Sequence, residues 1–500
     1  MIVASSKPQT TLADMLPDCL IHTVLSHIGY KEAARLTILS KSWLQAWLTH
    51  PNLEFSVYNF KLIKEVDEIL DRYRDKKIPI EKFNLSTFGS DEVVPLIDKW
   101  LRIALQNGVN HLEFGYVDFG RTLYPLPHVF TILSAKSLRK LVLKDCDLMQ
   151  LSLSSGYVTN YCDSLRELCL LGVCLNDNML QTLVATCPMI VSFTIKHCIG
   201  LKKIELRNLQ KIKMVSIHID EKQPIEIQAP TLEHLVCCGL AEKTLMLDIG
   251  ACQNLKSLKL SSVRISDGFL AQLTSRCQFL ESLMLDNIVS KGLEKFKVCE
   301  SQSLKNLEIR CCSGTTVIDA PNLESLDCVG NEIPVLKTAK TFGPLKHSRL
   351  ELYSRENISD LWFRKLRKFL FNSNSWSHVT LHFPSCIKID LENWDPCRGI
   401  FAIPQVDVLN VHLIGSLKCP SFADALLWSC HPRKLNLFST KQMITYFNNL
   451  LMYMKNSSHS NPWQYQLKDL RVHKFDLEDL RRQPVEHNER RRIRFSLYWR

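Results

Sequence analysis

A spacing constrains this chain more than any single residue does. The pattern L-x-x-L-x-L, with Ile, Val, Phe or Cys standing in for Leu, recurs as Ile80-Phe83-Leu85, Val109-Leu112-Phe114, Leu138-Leu141-Leu143, Leu165-Leu168-Leu170, Ile190-Phe193-Ile195, Leu232-Leu235-Cys237, Leu255-Leu258-Leu260, Leu280-Leu283-Leu285, Leu304-Leu307-Ile309 and Leu323-Leu326-Cys328. First positions lie mostly 23–29 residues apart, and weaker hits at Leu201-Ile204-Leu206 and Ile212-Val215-Ile217 fill the one long gap. A period of this length means stacked supersecondary units, none of which can bury its apolar face alone. Within each hit the apolar positions alternate, so each is a strand with one face inward. Some intervals have room for a helix: Asn176-Asp177 can cap one over Met179 to Val184, and Ser266-Asp267 can cap another. Repeats that end in Ala229-Pro230 or Ala320-Pro321 are too short for one. Parallel strands stack about 4.8 Å apart and helices about 8–10 Å apart, so strands on one side and helices on the other predict a curved array with the strands on the concave face.

Ahead of the repeats, Leu16 to Phe55 reads as a helical hook. Leu20, Ile21, Val24, Leu25 and Ile28 form one helical stripe begun by Pro17 and interrupted by Gly29. Lys31 to Leu36 gives a second short helix, and Ser40 to Leu48 a third that carries Trp43 and Trp47 before Pro51 ends it. Three helices in some forty residues cannot bury all of that apolar surface. Something else must cover it, either a partner or the array behind it, since a surplus of apolar surface also suits a capping unit. Helices are also expected over Phe60 to Arg74 and over Asp98 to Ala104, with Trp100 in the apolar stripe.

Leu16-Pro17, Leu39-Ser40-Lys41, Trp43 with Trp47, and Pro51-Asn52-Leu53 resemble the F-box of the plant F-box and leucine-rich-repeat family. The stretch Asp98-Lys99-Trp100-Leu101-Arg102-Ile103-Ala104-Leu105 is similar to the family's first helix-bearing repeat, and Leu427-Trp428-Ser429-Cys430-His431-Pro432 to its C-terminal segment. The resemblance implies an α/β chain: a three-helix F-box, then an irregular leucine-rich-repeat solenoid. It implies a substrate-recognition subunit whose F-box docks on the Skp-type adaptor of a cullin-RING ubiquitin ligase. Leu16, Pro17, Leu20, Ile21, Leu25, Ile28, Leu36, Leu39, Ser40 and Trp43 would then supply the docking surface or the helices behind it. Two positions depart from the family: Ile28-Gly29-Tyr30 stands where a Leu-Pro-Thr turn is usual, and Ser42 where a basic residue is usual. The alternative is a scaffold outside any ligase, whose first helices only cap the solenoid. The expected organisation is a flexible 1–14, an F-box over 15–55, a helical connector over 56–79, repeats over 80–335, and loosened repeats over 336–500. In that last region Val406-Leu409-Val411, Pro432-Leu435-Leu437 and Leu467-Leu470-Val472 keep the outline, and Lys455 to Pro462 is the candidate mobile loop.

Other classes find little support. No apolar run approaches the roughly 18 residues of a membrane span, and the start lacks a signal-peptide pattern, so a soluble nuclear or cytoplasmic protein is expected. Nineteen cysteines, an odd number, many within or just after strand motifs, read as reduced thiols. No C-x-x-C pairs them for zinc, and neither a metal nor a cofactor is expected. There is no G-x-S-x-G, H-E-x-x-H, G-x-x-x-x-G-K-[ST] or G-x-G-x-x-G, so catalysis has no sequence hint; His431 beside Cys430 is the nearest approach to a reactive pair. Residues 481–500 hold seven Arg against two Glu, which invites a nucleic-acid reading. Yet Ile493, Phe495, Leu497 and Trp499 alternate with Arg494, Ser496, Tyr498 and Arg500, the pattern of a half-buried strand.

The residues between the leucines should face a target protein. They include Lys140, Val142, Lys144, Glu167, Cys169, Leu171, Thr194, Lys196, His234, Val236, Ser257, Lys259, Met284, Asp286, Asn306, Glu308, Arg310 and Asp327. Of these Lys140, Lys144, Lys196, His234, Lys259, Met284 and Arg310 are the candidate substrate contacts. A predominantly basic face across the four lysines would favour an acidic or phosphorylated target; the alternative is an ordinary solvated strand face.

Overall fold

The computed structural model describes residues 16–89, 93–117, 123–126, 129–149, 162–220, 223–240, 244–265, 268–290, 295–298, 302–312, 315–336, 345–354, 358–373, 376–384, 403–414, 420–456, 466–474 and 491–499. They form two compact units, one of residues up to Glu233 with Met246–Cys252, the other of His234–Leu245 and the chain from Gln253 onward.

The first unit opens with three short helices, α1 (Asp18–Ser26), α2 (Tyr30–Leu36) and α3 (Lys41–Leu48). A parallel, in-register ladder follows: strands Asn52–Val57, Lys82–Phe88, His111–Val117, Lys140–Lys144, Glu167–Leu171, Ser192–Lys196 and Met214–His218, each paired to the next. Long helices α4 (Phe60–Lys76) and α5 (Val94–Gln106) link the first three strands. Lys99 Nζ and Trp100 Nε1 both donate to Asp67 Oδ1 at 2.8 Å, which ties the two helices together. A second row of short parallel strands, Ile204–Leu206, Ile225–Ile227 and Leu247–Asp248, runs beside the ladder. Asn176 caps the helix Asp177–Thr186 as expected, accepting from the Met179 N–H at 2.8 Å.

In the second unit the parallel ladder runs through His234–Cys238, Ser257–Ser261, Ser282–Asp286, Asn306–Arg310, Ser325–Gly330, His347–Tyr353, Trp376–Phe383, Gln405–Leu413 and His431–Ser439. From His347 the strands lengthen to 7–9 residues, and helices Asp360–Leu370, Pro420–Ser429 and Lys441–Asn456 pack behind them. The Leu467-Leu470-Val472 hit is not a further parallel repeat: Leu467–Lys474 runs antiparallel to Arg491–Trp499, which is itself antiparallel to His431–Ser439. Ile493, Phe495 and Leu497 are buried and Tyr498 is exposed, so Arg491–Trp499 is the half-buried strand that the alternation predicts. Of the expected mobile loop, Lys455 and Asn456 end a helix and the rest lies outside the described residues, as do 1–14 and the Ser266-Asp267 cap.

Six of the described ladder strands are followed at once by a residue in the left-handed region: Asp145, Gly172, His197, Ser262, Asn287 and Cys311 have φ between 50° and 63°. Asp, Asn and Gly tolerate this conformation best. At Gly172 a Cβ would stand 2.2 Å from Asp145 Oδ1, so close stacking of consecutive turns also calls for glycine there. The next residue turns inward. Cys146, Cys198 and Cys312 donate their thiols to carbonyls of their own strands, those of Lys144, Lys196 and Arg310. The leucine positions themselves are almost fully buried, and each removes a side chain worth about 1.5–3 kcal/mol from water. Val142 departs from the alternation; it is 6% exposed although its position faces outward.

Candidate functional site

The hook has two unlike faces. Inward, Ile21, Leu25, Ala33, Trp43 and Ala46 make a small core with Ile28, Leu36 and Trp47 packed around it. Helix α1 starts at Pro17, whose carbonyl accepts from Leu20 and Ile21 N–H. Ser40 caps α3 by accepting from the Trp43 N–H.

Toward the repeats the hook is fused to the first strand by rings. Tyr30 stacks on Trp47 at 5.4 Å and meets Phe55 edge-on at 5.5 Å, and Phe55 meets Phe83 of the second strand at 6.1 Å. His50 is buried. Its Nε2 lies 2.9 Å from the Leu25 carbonyl, its Nδ1 lies 2.7 Å from the Asn52 carbonyl, and its own carbonyl accepts from Tyr73 Oη at 2.8 Å. Burial pushes the Tyr30 phenol up to about 12, so it stays neutral and part of the packing.

Outward, large apolar side chains are left in solvent: Leu16, Leu20, Val24, Ile38, Leu39 and Leu44, with Ile38 88% exposed. The expected docking residues therefore divide. Leu16, Pro17, Leu20 and Leu39 face out; Ile28, Leu36 and Ser40 are half-buried; Ile21, Leu25 and Trp43 are internal and position the others. The tryptophans are thus covered by the hook itself and by Tyr30, not left for a partner. Val24, Ile38 and Leu44 were missed. Val24 follows Leu20 by one helical turn, a signal that was in the sequence.

The repeat faces are less basic than the lysine count predicts. Lys140 Nζ lies 2.8 Å from Glu167, Lys144 Nζ lies 2.6 Å from Glu113, and Arg310 pairs with Glu308 and Asp327. Each cation is matched by a carboxylate on the same or the neighbouring strand. Among the described residues only Lys196, between Leu171 and His218, and Lys259, between Val236 and Met284, stand without an acidic partner in this set. His234 is exposed, and Met284 is half-buried in the same row as Lys259. Burial, with Lys196 and His197 beside it, holds His218 below the usual histidine range.

Cys430 and His431 do not make a reactive pair. Both are buried, and the His431 ring lies flat on Trp499 at 3.8 Å. Burial pushes the thiol up to about 12, while burial and then Arg367 push the imidazole down to about 3. Among the described residues no three His, Cys, Asp or Glu are placed to hold a metal, and no helix is long and apolar enough to cross a membrane.

A three-helix hook joined to parallel, leucine-lined strands defines an F-box followed by leucine-rich repeats. The F-box domain model matches residues 14–55, and the model for the repeats of FBD-associated F-box protein At5g56370 matches 97–252 and 241–342. The chain belongs to the F-box/leucine-rich-repeat family of plant proteins. Among its Arabidopsis thaliana relatives, putative F-box/LRR-repeat protein At3g18150 is 28% identical over 58% of this chain and 58% of its own length. Putative F-box protein At1g49610 is 30% identical over 44% of this chain and 54% of its own, and F-box protein At5g03100 is 25% identical over 47% and 72%. The chain thus spans little more than half the length of the first two relatives.

Proposed function

We propose that the chain is the substrate-recognition subunit of an SCF-type cullin-RING ubiquitin ligase. The F-box docks on a Skp-type adaptor through Leu16, Pro17, Leu20 and Leu39, extended by Val24, Ile38 and Leu44, and the repeat faces hold a target protein. The observation that carries this reading is the outward face of the hook: six large apolar side chains in solvent on a domain whose opposite face is already sealed. Such a patch marks a protein contact. The chain performs no chemistry in this role; it raises the local concentration of the target near a ubiquitin-loaded enzyme. Its place of work is the nucleus or the cytoplasm, in keeping with the free thiols of its fifteen described cysteines.

The test is co-purification with a Skp-type adaptor. Leu20→Asp combined with Ile38→Asp should abolish it and leave the thermal unfolding curve in place; full retention by that variant would overturn the docking surface. The scaffold reading draws on a specific observation, the Tyr30, His50 and Phe55 contacts by which the hook covers the first strand. Capping and docking use opposite faces, so a soluble, stable chain that binds no adaptor would favour the scaffold.

A further inference from the structure

Three residues before the first leucine position several repeats pack a small or apolar side chain: Leu209, Ala229 and Ala320, and the cysteines 162, 187, 252 and 277. A cysteine there acts as a compact hydrophobe. At Cys277 burial outweighs the neighbouring Arg276 and pushes the thiol up, as expected of an inert site. Cys162 and Cys187 differ because they occupy this position in consecutive repeats of one unit. The strands that follow pair Leu168 with Phe193, six residues beyond each cysteine. Equivalent positions of adjacent parallel strands stack about 4.8 Å apart, inside the Cα separation that a disulfide spans. The backbones are in contact, since the Cys162 N–H donates to the Thr186 carbonyl at 2.8 Å.

Donors converge on one sulfur. The Cys187 thiol donates to Cys162 Sγ, which also receives the backbone N–H groups of Leu165 and Ser164 and lies 3.8 Å from Ser164 Oγ. The Cys187 hydrogen bond first, against burial, draws the Cys162 thiol down, while the same hydrogen bond and burial push Cys187 up. Cys162 is thus the sulfur favoured to attack and Cys187 the one placed to resolve.

We propose that Cys162 and Cys187 are a redox-sensitive pair, oxidised by a peroxide to a disulfide that staples two adjacent repeats. The Cys162 thiolate attacks one peroxide oxygen, the O–O bond breaks, and the departing hydroxide takes up a proton as water, leaving a sulfenic acid. The Cys187 sulfur then attacks the Cys162 sulfur, loses its proton, and expels the hydroxyl as a second water. The two electrons that reduce the peroxide come from the two sulfurs.

The experiment treats the full chain with hydrogen peroxide under native conditions, quenches in acid, alkylates the remaining thiols and maps peptides by mass. A linked peptide containing Cys162 and Cys187, lighter by two hydrogens and cleaved by dithiothreitol, is the expected product. Cys187→Ser should leave a sulfenic acid on Cys162 that dimedone traps, and Cys162→Ser should leave Cys187 reduced. The exposed Cys19 and Cys311 serve as comparison. Oxidation of those two while Cys162 and Cys187 both remain alkylated would overturn the proposal, and so would oxidation of Cys187 undiminished by Cys162→Ser. Neither outcome depends on adaptor or target binding.

Discussion

The hook and the strands it leads into use apolar residues in opposite ways. In the ladder, Phe83, Leu85, Leu112, Phe114 and Leu141 are fully buried, because each of their strands has a ladder neighbour on both sides. In the hook, α1 buries Ile21 and Leu25 and leaves Leu20 and Val24 outside, because among the described residues α3, α2 and His50 lie against one side of it. The difference teaches that the repeats are complete as they stand. The hook is finished on one side only, the side facing Phe55, and the other side is what a partner can use.

The largest expected effect lies in the ladder. Phe83→Ala removes a ring that meets Phe55 and should cost about 3–5 kcal/mol of stability, read as a fall in the denaturant midpoint; a shift near zero would mean that the first strands are not packed as described. Deleting residues 1–55 is a poorer probe, because it also removes most of the strand Asn52–Val57 and bares Phe83.

Acid should separate the regions next. The unfolded His431 binds a proton below about pH 6.5 and the folded one only below about 3. Between those values unfolding takes up a proton, so stability is intact above about 6.5 and is lost as pH falls. The loss is on the order of 3–5 kcal/mol once pH reaches about 3. Burial holds His111 and His382 low as well, which adds to the same trend in the repeats. His431→Phe keeps a ring against Trp499 and should flatten the decline between pH 7 and 5. An unchanged decline would remove His431 from the account.

The smallest effect belongs to the hook's outer face. Ile38→Ser should change stability by no more than about 0.5 kcal/mol, since the side chain touches little. A loss of several kcal/mol would show that this face is already covered by the chain itself.

Much of this was legible from residues alone. The repeat period located nearly every ladder strand up to Gly330, and Pro17, Gly29, Ser40 and Pro51 marked the hook helices within a residue or two. The inward choice within α1 was not legible, because Leu20, Ile21, Val24, Leu25 and Ile28 form one broad stripe and only the placement of Trp43 decides which part of it is buried. The charge of the repeat face was hidden for a similar reason. Lys144 and Glu113 are 31 residues apart and meet only because consecutive strands stand in register. Alternation also carries no strand direction, so Leu467–Lys474 reads like one more repeat until its antiparallel partner is seen.

The most direct test of the central claim is amide hydrogen exchange of the full chain with and without a Skp-type adaptor. The account predicts new protection over α1 and the turn from Leu36 to Ser40, with the ladder strands Lys82–Phe88 and His111–Val117 unchanged. Adaptor binding that leaves α1 and that turn as exposed as before, or that protects only the ladder, would contradict it.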